Sequence, residues 1–99
     1  MFVRIIAIKR LKEFWEKHPD SEQPLRAWYS EAVNSDWKKP NDITKYYRTA
    51  SILSSNRVVF NIKGNDYRLI TTINYDYKVV YIRFIGTHKE YNRINAEDI

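Results

Sequence analysis

Arg68, Arg83 and a C-terminal run containing His88, Lys89 and Tyr91 are the residues whose types could do chemistry together in this chain. Guanidinium and ammonium groups neutralise the charge that builds on a phosphate in its transition state, and an imidazole exchanges a proton near neutral pH. With a phenol beside them, such groups suit cleavage of an RNA phosphodiester without a metal. The 2′-hydroxyl is deprotonated, attacks the adjacent phosphate and leaves a 2′,3′-cyclic phosphate, while aromatic rings hold an unpaired base by stacking. Plainer roles exist for each residue. Strand arginines are common as solvated outer-face residues, Lys89 fits a surface lysine, Tyr91 fits a core position and His88 could serve a helix cap.

Other chemistries find fewer supports. The chain has no cysteine, which removes disulfides, thiolate zinc sites and thiol nucleophiles and fits a reducing compartment. His18 is the only other histidine, so two-histidine metal spacing is missing, and neither metal nor cofactor is expected. With two glycines, the sequence cannot build a phosphate-cradling loop, and it carries no Walker, dinucleotide-binding or G-x-S-x-G motif. Trp15 and Trp28 lie on helical apolar stripes and read as core. Trp37, beside Lys38 and Lys39, is open to either packing or base stacking.

The elements that must position these residues follow from apolar periodicity. Phe2 to Ile6 is short and β-branched, a strand that joins a sheet supplied by the rest of the chain. Ile8, Leu11, Phe14 and Trp15 recur at helical spacing, and His18-Pro19-Asp20 ends that helix. Asp20 or Ser21 can cap a second helix, which tolerates Pro24 early, buries Leu25, Trp28, Ala32 and Val33, and stops near Asn34. Trp37 to Asn56 mixes turn formers with buried-type residues and reads as ordered loop with a short helical turn. Beyond it, strands over 57–62, 67–75 and 79–85 form an antiparallel meander, the first pair joined by a hairpin in which Gly64 supplies the positive φ of a II′ turn. Gly86 is expected to break the last strand. Thr87 and Glu90 then match a capping box, starting a short helix that returns Tyr91, Ile94 and Ile99 to the sheet.

That order gives an α+β domain with helices on one face of an antiparallel sheet. Strand alternation puts Val80, Ile82 and Phe84 on one face and Tyr81, Arg83 and Ile85 on the other; in the middle strand Tyr67, Leu69, Thr71 and Ile73 oppose Arg68, Ile70, Thr72 and Asn74. If helices cover the Val80 and Leu69 faces, Arg68 and Arg83 share the open face near one end, with His88, Lys89 and Tyr91 just beyond it.

Composition agrees with one such domain. The 99 residues allow a single core, and 43% apolar residues are too many for a disordered chain. Lys and Arg outnumber Asp and Glu by 17 to 12, a net charge of +5 that favours a polyanionic partner. The apolar start is interrupted by Arg4 and lacks a cleavage site, and no run approaches the about 18 apolar residues of a membrane span, so a cytoplasmic protein with no membrane contact is expected.

Three blocks carry a family likeness: Trp37-Lys38-Lys39-Pro40, the run Arg57-Val58-Val59-Phe60-Asn61-Ile62-Lys63-Gly64-Asn65-Asp66-Tyr67-Arg68-Leu69, and Tyr81-Ile82-Arg83 leading into Gly86-Thr87-His88-Lys89-Glu90-Tyr91. They resemble the HigB toxins of the RelE/ParE superfamily. The resemblance implies a RelE-like fold and a type II toxin that cuts mRNA, usually on the ribosome. It also implies a HigA-type helix-turn-helix antitoxin through which alone the toxin meets operator DNA. By position it makes Arg68, His88 and Tyr91 the catalytic candidates, with Arg68 stabilising the phosphate, His88 as general base or acid and Tyr91 orienting the nucleotide; Lys63, Arg83 and Lys89 are the RNA-binding candidates. The superfamily also includes ParE-like toxins that inhibit DNA gyrase without catalysis, the alternative that the arginines and His88 argue against.

Overall fold

A computed structural model describes residues 3–99. The β-branched start forms β1 (Arg4–Ile6); Phe2, expected in the same strand, lies outside the described residues. Helix α1 (Lys9–Lys17) buries Leu11 and packs Phe14 and Trp15 partly against the core. It ends where the His18 N–H donates to Phe14 O, one residue before Pro19. A single 3₁₀ turn, Pro19–Ser21, runs directly into α2 (Glu22–Val33). This removes the expected side-chain cap. Ser21 is itself in helical conformation, and its hydroxyl donates back to His18 O at 2.7 Å. The buried stripe of α2 is Leu25, Trp28 and Ala32; Val33, expected with them, is the last helical residue and is only partly buried.

The stretch expected as loop holds more structure than its turn formers suggest. Helix α3 (Pro40–Tyr46) starts with Pro40 in its first turn and with the Asp42 carboxylate accepting the Lys38 N–H at 2.9 Å, and it buries Ile43. After it, β2 (Ser51–Ile52) adds an edge to the sheet, with Ile52 opposite Val58. Trp37 proves to be core: its ring stacks on Phe60 with centroids 5.9 Å apart.

Strands β3 (Arg57–Ile62), β4 (Tyr67–Asn74) and β5 (Val79–Thr87) form the expected meander. In the β3–β4 hairpin Gly64 takes φ +65°, and the Asp66 N–H closes on Lys63 O at 3.2 Å. Among the described residues the sheet runs β1-β5-β4-β3-β2, antiparallel except for β1, which pairs in parallel with β5. Three helices cover one face, where Leu11, Leu25, Trp28, Ala32 and Ile43 pack on Phe60, Leu69, Ile73, Val80 and Ile82. The opposite face carries a smaller core: Tyr91, Ile94, Ala96 and Ile99 fold back on Val59, Ile70 and Phe84.

Two features of β5 depart from simple alternation. Ile70 pairs with Phe84 but Thr71 pairs with Ile82, so Arg83 is the extra residue of a β-bulge. A bulge shifts the side-chain alternation by one, so Phe84 sits with Ile70 rather than with Val80 and Ile82, and Ile85 joins the helix-covered face. Gly86, expected to stop the strand, lies within it opposite Arg68. A Cβ there would come within 2.5 Å of the Phe84 ring, so the missing side chain is space that Phe84 occupies. The strand thus reaches Thr87, which opens α4 (His88–Tyr91) with the expected capping box: Thr87 Oγ1 accepts from Glu90 N and Glu90 Oε1 from Thr87 N. No described helix is long and apolar enough to cross a membrane.

Candidate active site

Arg68 projects from β4 toward the face covered by the C-terminal segment and is only 8% exposed. A buried cation is tolerated when its N–H groups are paired. One terminal nitrogen donates to Asn65 O at 3.0 Å and Tyr67 O at 3.3 Å. The other donates to Asn65 Oδ1 at 2.6 Å and to His88 Nδ1 at 2.7 Å. The hairpin therefore grips the guanidinium it introduces three residues later. Above it lies the Tyr91 ring, its centroid 5.8 Å from Arg68 Cζ, within the range of a cation–π contact.

His88 is set from two sides. The capping box fixes the first turn of α4, and the His88 N–H donates to Asp66 O at 3.1 Å, tying that turn to the β3–β4 hairpin. A guanidinium can only donate, so Nδ1 of His88 is the acceptor and the ring proton resides on Nε2. The ring is exposed. Tyr91, three residues on, lies on the same side of the helical turn and is half-buried. Lys89 follows His88 in the chain and is exposed, without a salt-bridge partner among the described residues. Together these groups present an imidazole N–H and a ring edge in front of a buried positive charge, an arrangement suited to an anionic group.

The structure does not bring every candidate to this place. Lys63 leaves the hairpin toward the helical layer, where its ammonium lies 3.1 Å from both Asp20 Oδ2 and Asp66 Oδ2. Those partners, Asp20 first, hold Lys63 above the ordinary lysine range. Asp20 is held below the ordinary carboxylate value by the Tyr67 hydroxyl, which donates to it at 2.5 Å, and then by Lys63. Arg83 shares the face of Arg68 but not its neighbourhood. As the bulged residue it turns back along the sheet, its Nε donating to Thr72 Oγ1 at 3.0 Å and its Cζ 5.5 Å from the Tyr81 ring centroid. Thr72 is four residues from Arg68 on β4, about 13 Å at strand rise. His18 stacks on Phe14 at 4.4 Å on the helix side.

Asn65 is the site residue that sequence reasoning missed. An Asn in a tight turn is explained by the turn alone. Its double use, through both carbonyl groups, was legible only as an Asn three residues before an arginine on a strand.

Residues 21–94 match the family model HigB_toxin, described as the RelE-like toxic component of a toxin-antitoxin system. The chain is 28% identical over 96 residues to the mRNA interferase toxin HigB of Escherichia coli (strain K12), an alignment covering 95% of this chain and 92% of that protein. The proteins called mRNA interferase HigB in Escherichia coli O157:H7 and Shigella flexneri match at the same identity and coverage. The matched family segment runs from the end of the 3₁₀ turn past α4 and contains Asn65, Arg68, His88 and Tyr91.

Proposed function

Because the chain belongs to the HigB toxin family, the RelE-like toxic components of toxin–antitoxin systems, we propose that it is an endoribonuclease that cleaves mRNA at the ribosome and arrests translation. The observation that carries this reading is the buried Arg68 bonded to an exposed His88 with Tyr91 alongside. The scissile phosphate sits against His88, with the Arg68 charge behind it. The 2′-hydroxyl gives its proton to a water molecule as O2′ attacks phosphorus, the P–O5′ bond breaks, and O5′ takes up a proton from water, leaving a 2′,3′-cyclic phosphate and a 5′-hydroxyl. Arg68 stabilises the charge on the non-bridging oxygens, the part that a metal would otherwise play. Tyr91 stacks on or orients the nucleotide, Lys89 meets a neighbouring phosphate and Arg83 serves flanking RNA further out, whereas the Lys63 ammonium is taken up by Asp20 and Asp66 and adds little to RNA binding. The partner is a HigA-type antitoxin with a helix-turn-helix domain, which brings the toxin to operator DNA.

The test is induction of the wild type and the Arg68→Ala and His88→Ala variants in growing cells, with transcript ends mapped and folding checked by circular dichroism. Growth arrest with new 5′-hydroxyl ends in the wild type, and their loss in both folded variants, is the expected result. Variants as toxic as the parent would overturn the site, and a DNA-damage response without transcript cleavage would turn the reading toward gyrase inhibition.

A further inference from the structure

We infer that Asn65 is a positioning residue which, through Arg68, fixes the tautomer of His88 so that His88 meets the scissile phosphate as a hydrogen-bond donor rather than as a base. The catalytic consequence rests on the ribonuclease reading above; the tautomer itself does not.

Each hydrogen bond of the Arg68 guanidinium has a fixed direction, because every one of its N–H groups donates. Arg68 donates to His88 Nδ1 at 2.7 Å, so a proton on Nδ1 would point at a guanidinium N–H. The Nδ1–H tautomer, the one with a lone pair on Nε2, is therefore incompatible with this geometry. A base acting through Nε2 needs that lone pair. What His88 offers outward is an Nε2–H, the arrangement by which a neutral imidazole polarises an anionic or carbonyl oxygen.

The hold on His88 is as firm as the hold on the guanidinium. Arg68 cannot swing away without surrendering the bonds to Asn65 O, Asn65 Oδ1 and Tyr67 O. Asn65 supplies two of these three acceptors from one residue, and its Oδ1 receives the same nitrogen that donates to His88, which sets the plane of the guanidinium. Two further contacts keep the partners in register. The hairpin closes through Asp66 N and Lys63 O, and Asp66 O receives the His88 N–H, so the turn that carries Asn65 and the turn that carries His88 move together. Asn65 is exposed and buries nothing in either core, which separates its effect from packing.

The experiment is a ring-nitrogen correlation spectrum of the full chain labelled with ¹⁵N-histidine, with the two histidine signals assigned through a His18→Asn variant. The expected result is a wild-type His88 in the Nε2–H form, a mixture of tautomers in Asn65→Ala, and the wild-type form in Asn65→Asp, which keeps the acceptor oxygen. On RNA, Asn65→Ala should lower the turnover rate about tenfold or more with KM little changed, as expected for loss of a charge-assisted hydrogen bond that acts through orientation, and Asn65→Asp should restore much of it. A wild-type His88 in the Nδ1–H form, or an unchanged tautomer in Asn65→Ala, would overturn the inference even if the protein cleaves RNA. The expected tautomers in a protein that cleaves no RNA would instead overturn the ribonuclease reading and leave the positioning intact.

Discussion

A buried guanidinium needs partners for its N–H groups, and those partners determine what it can still do. The terminal nitrogens of Arg68 are occupied by Asn65, Tyr67 and His88, so on the proposed reading its charge would act on the phosphate as a field from behind the imidazole rather than as a bidentate fork. Lysine cannot imitate this, because a tetrahedral ammonium has three donors and no plane. Arg68→Lys should therefore reduce RNA cleavage by about 100-fold and lower stability by about 1–3 kcal/mol, the range for a disrupted buried polar group. Single-turnover rates and urea unfolding would measure both, and cleavage at the wild-type rate would show that positive charge alone suffices. Lys63 provides the contrast. Its ammonium is already shared between Asp20 and Asp66, so Lys63→Ala should change cleavage by less than about threefold, in keeping with the modest worth of exposed ion pairs.

At the scale of elements, strand β5 decides the geometry of the site through one added residue and one missing side chain. The bulge at Arg83 sends that arginine toward Thr72 and brings Phe84 over to the smaller core. Gly86 then gives the Phe84 ring room and lets the strand continue to Thr87, where α4 begins. Gly86→Ala should cost about 1–3 kcal/mol, as overpacking usually does. A double-mutant cycle with Phe84→Leu, followed by urea denaturation, should show favourable coupling because the shorter side chain vacates the contested space. Additive effects would mean that the ring is not what excludes a Cβ. Glycine near a strand end resembles a breaker when read alone. The ring that makes it necessary folds back from two residues earlier, on a face that the bulge assigns.

For the molecule as a whole, the two layers are clasped at the end that carries the site. Tyr67 donates to Asp20 and Lys63 pairs with it, tying the β3–β4 hairpin to the 3₁₀ turn between α1 and α2. The folded Asp20 carboxyl is held below its ordinary value of 3.8, so its contribution is present above that value and is lost as pH falls through the folded one. Lys63 is raised above 10.5, so its share persists below that value and fades as pH rises through the folded one. The clasp is thus intact across neutral pH. Thermal unfolding of the wild type and Asp20→Asn should show a gap at pH 7 that closes below about pH 3.8; equal melting at pH 7 would show that the clasp stabilises nothing. The net charge of +5 acts over the same scale, and added salt should weaken RNA binding as released counterions lose their advantage.

Local chemistry was legible from the sequence. The helical stripes, the Gly64 hairpin, the meander and the Thr87–Glu90 capping box each depend on residues within a few positions of one another, and all stand in the structure. The placement of Arg68, His88 and Tyr91 at one end of the sheet followed from the same local rules. Only the tertiary structure decided that α3 and β2 form between Trp37 and Asn56, that Arg83 and Lys63 stand apart from Arg68, and that Asn65 holds it. Burial and ion pairing depend on what the rest of the chain brings within reach. Asp20 lies more than forty residues from Tyr67 and Lys63, and the bulge forms between two strands whose register no single segment carries.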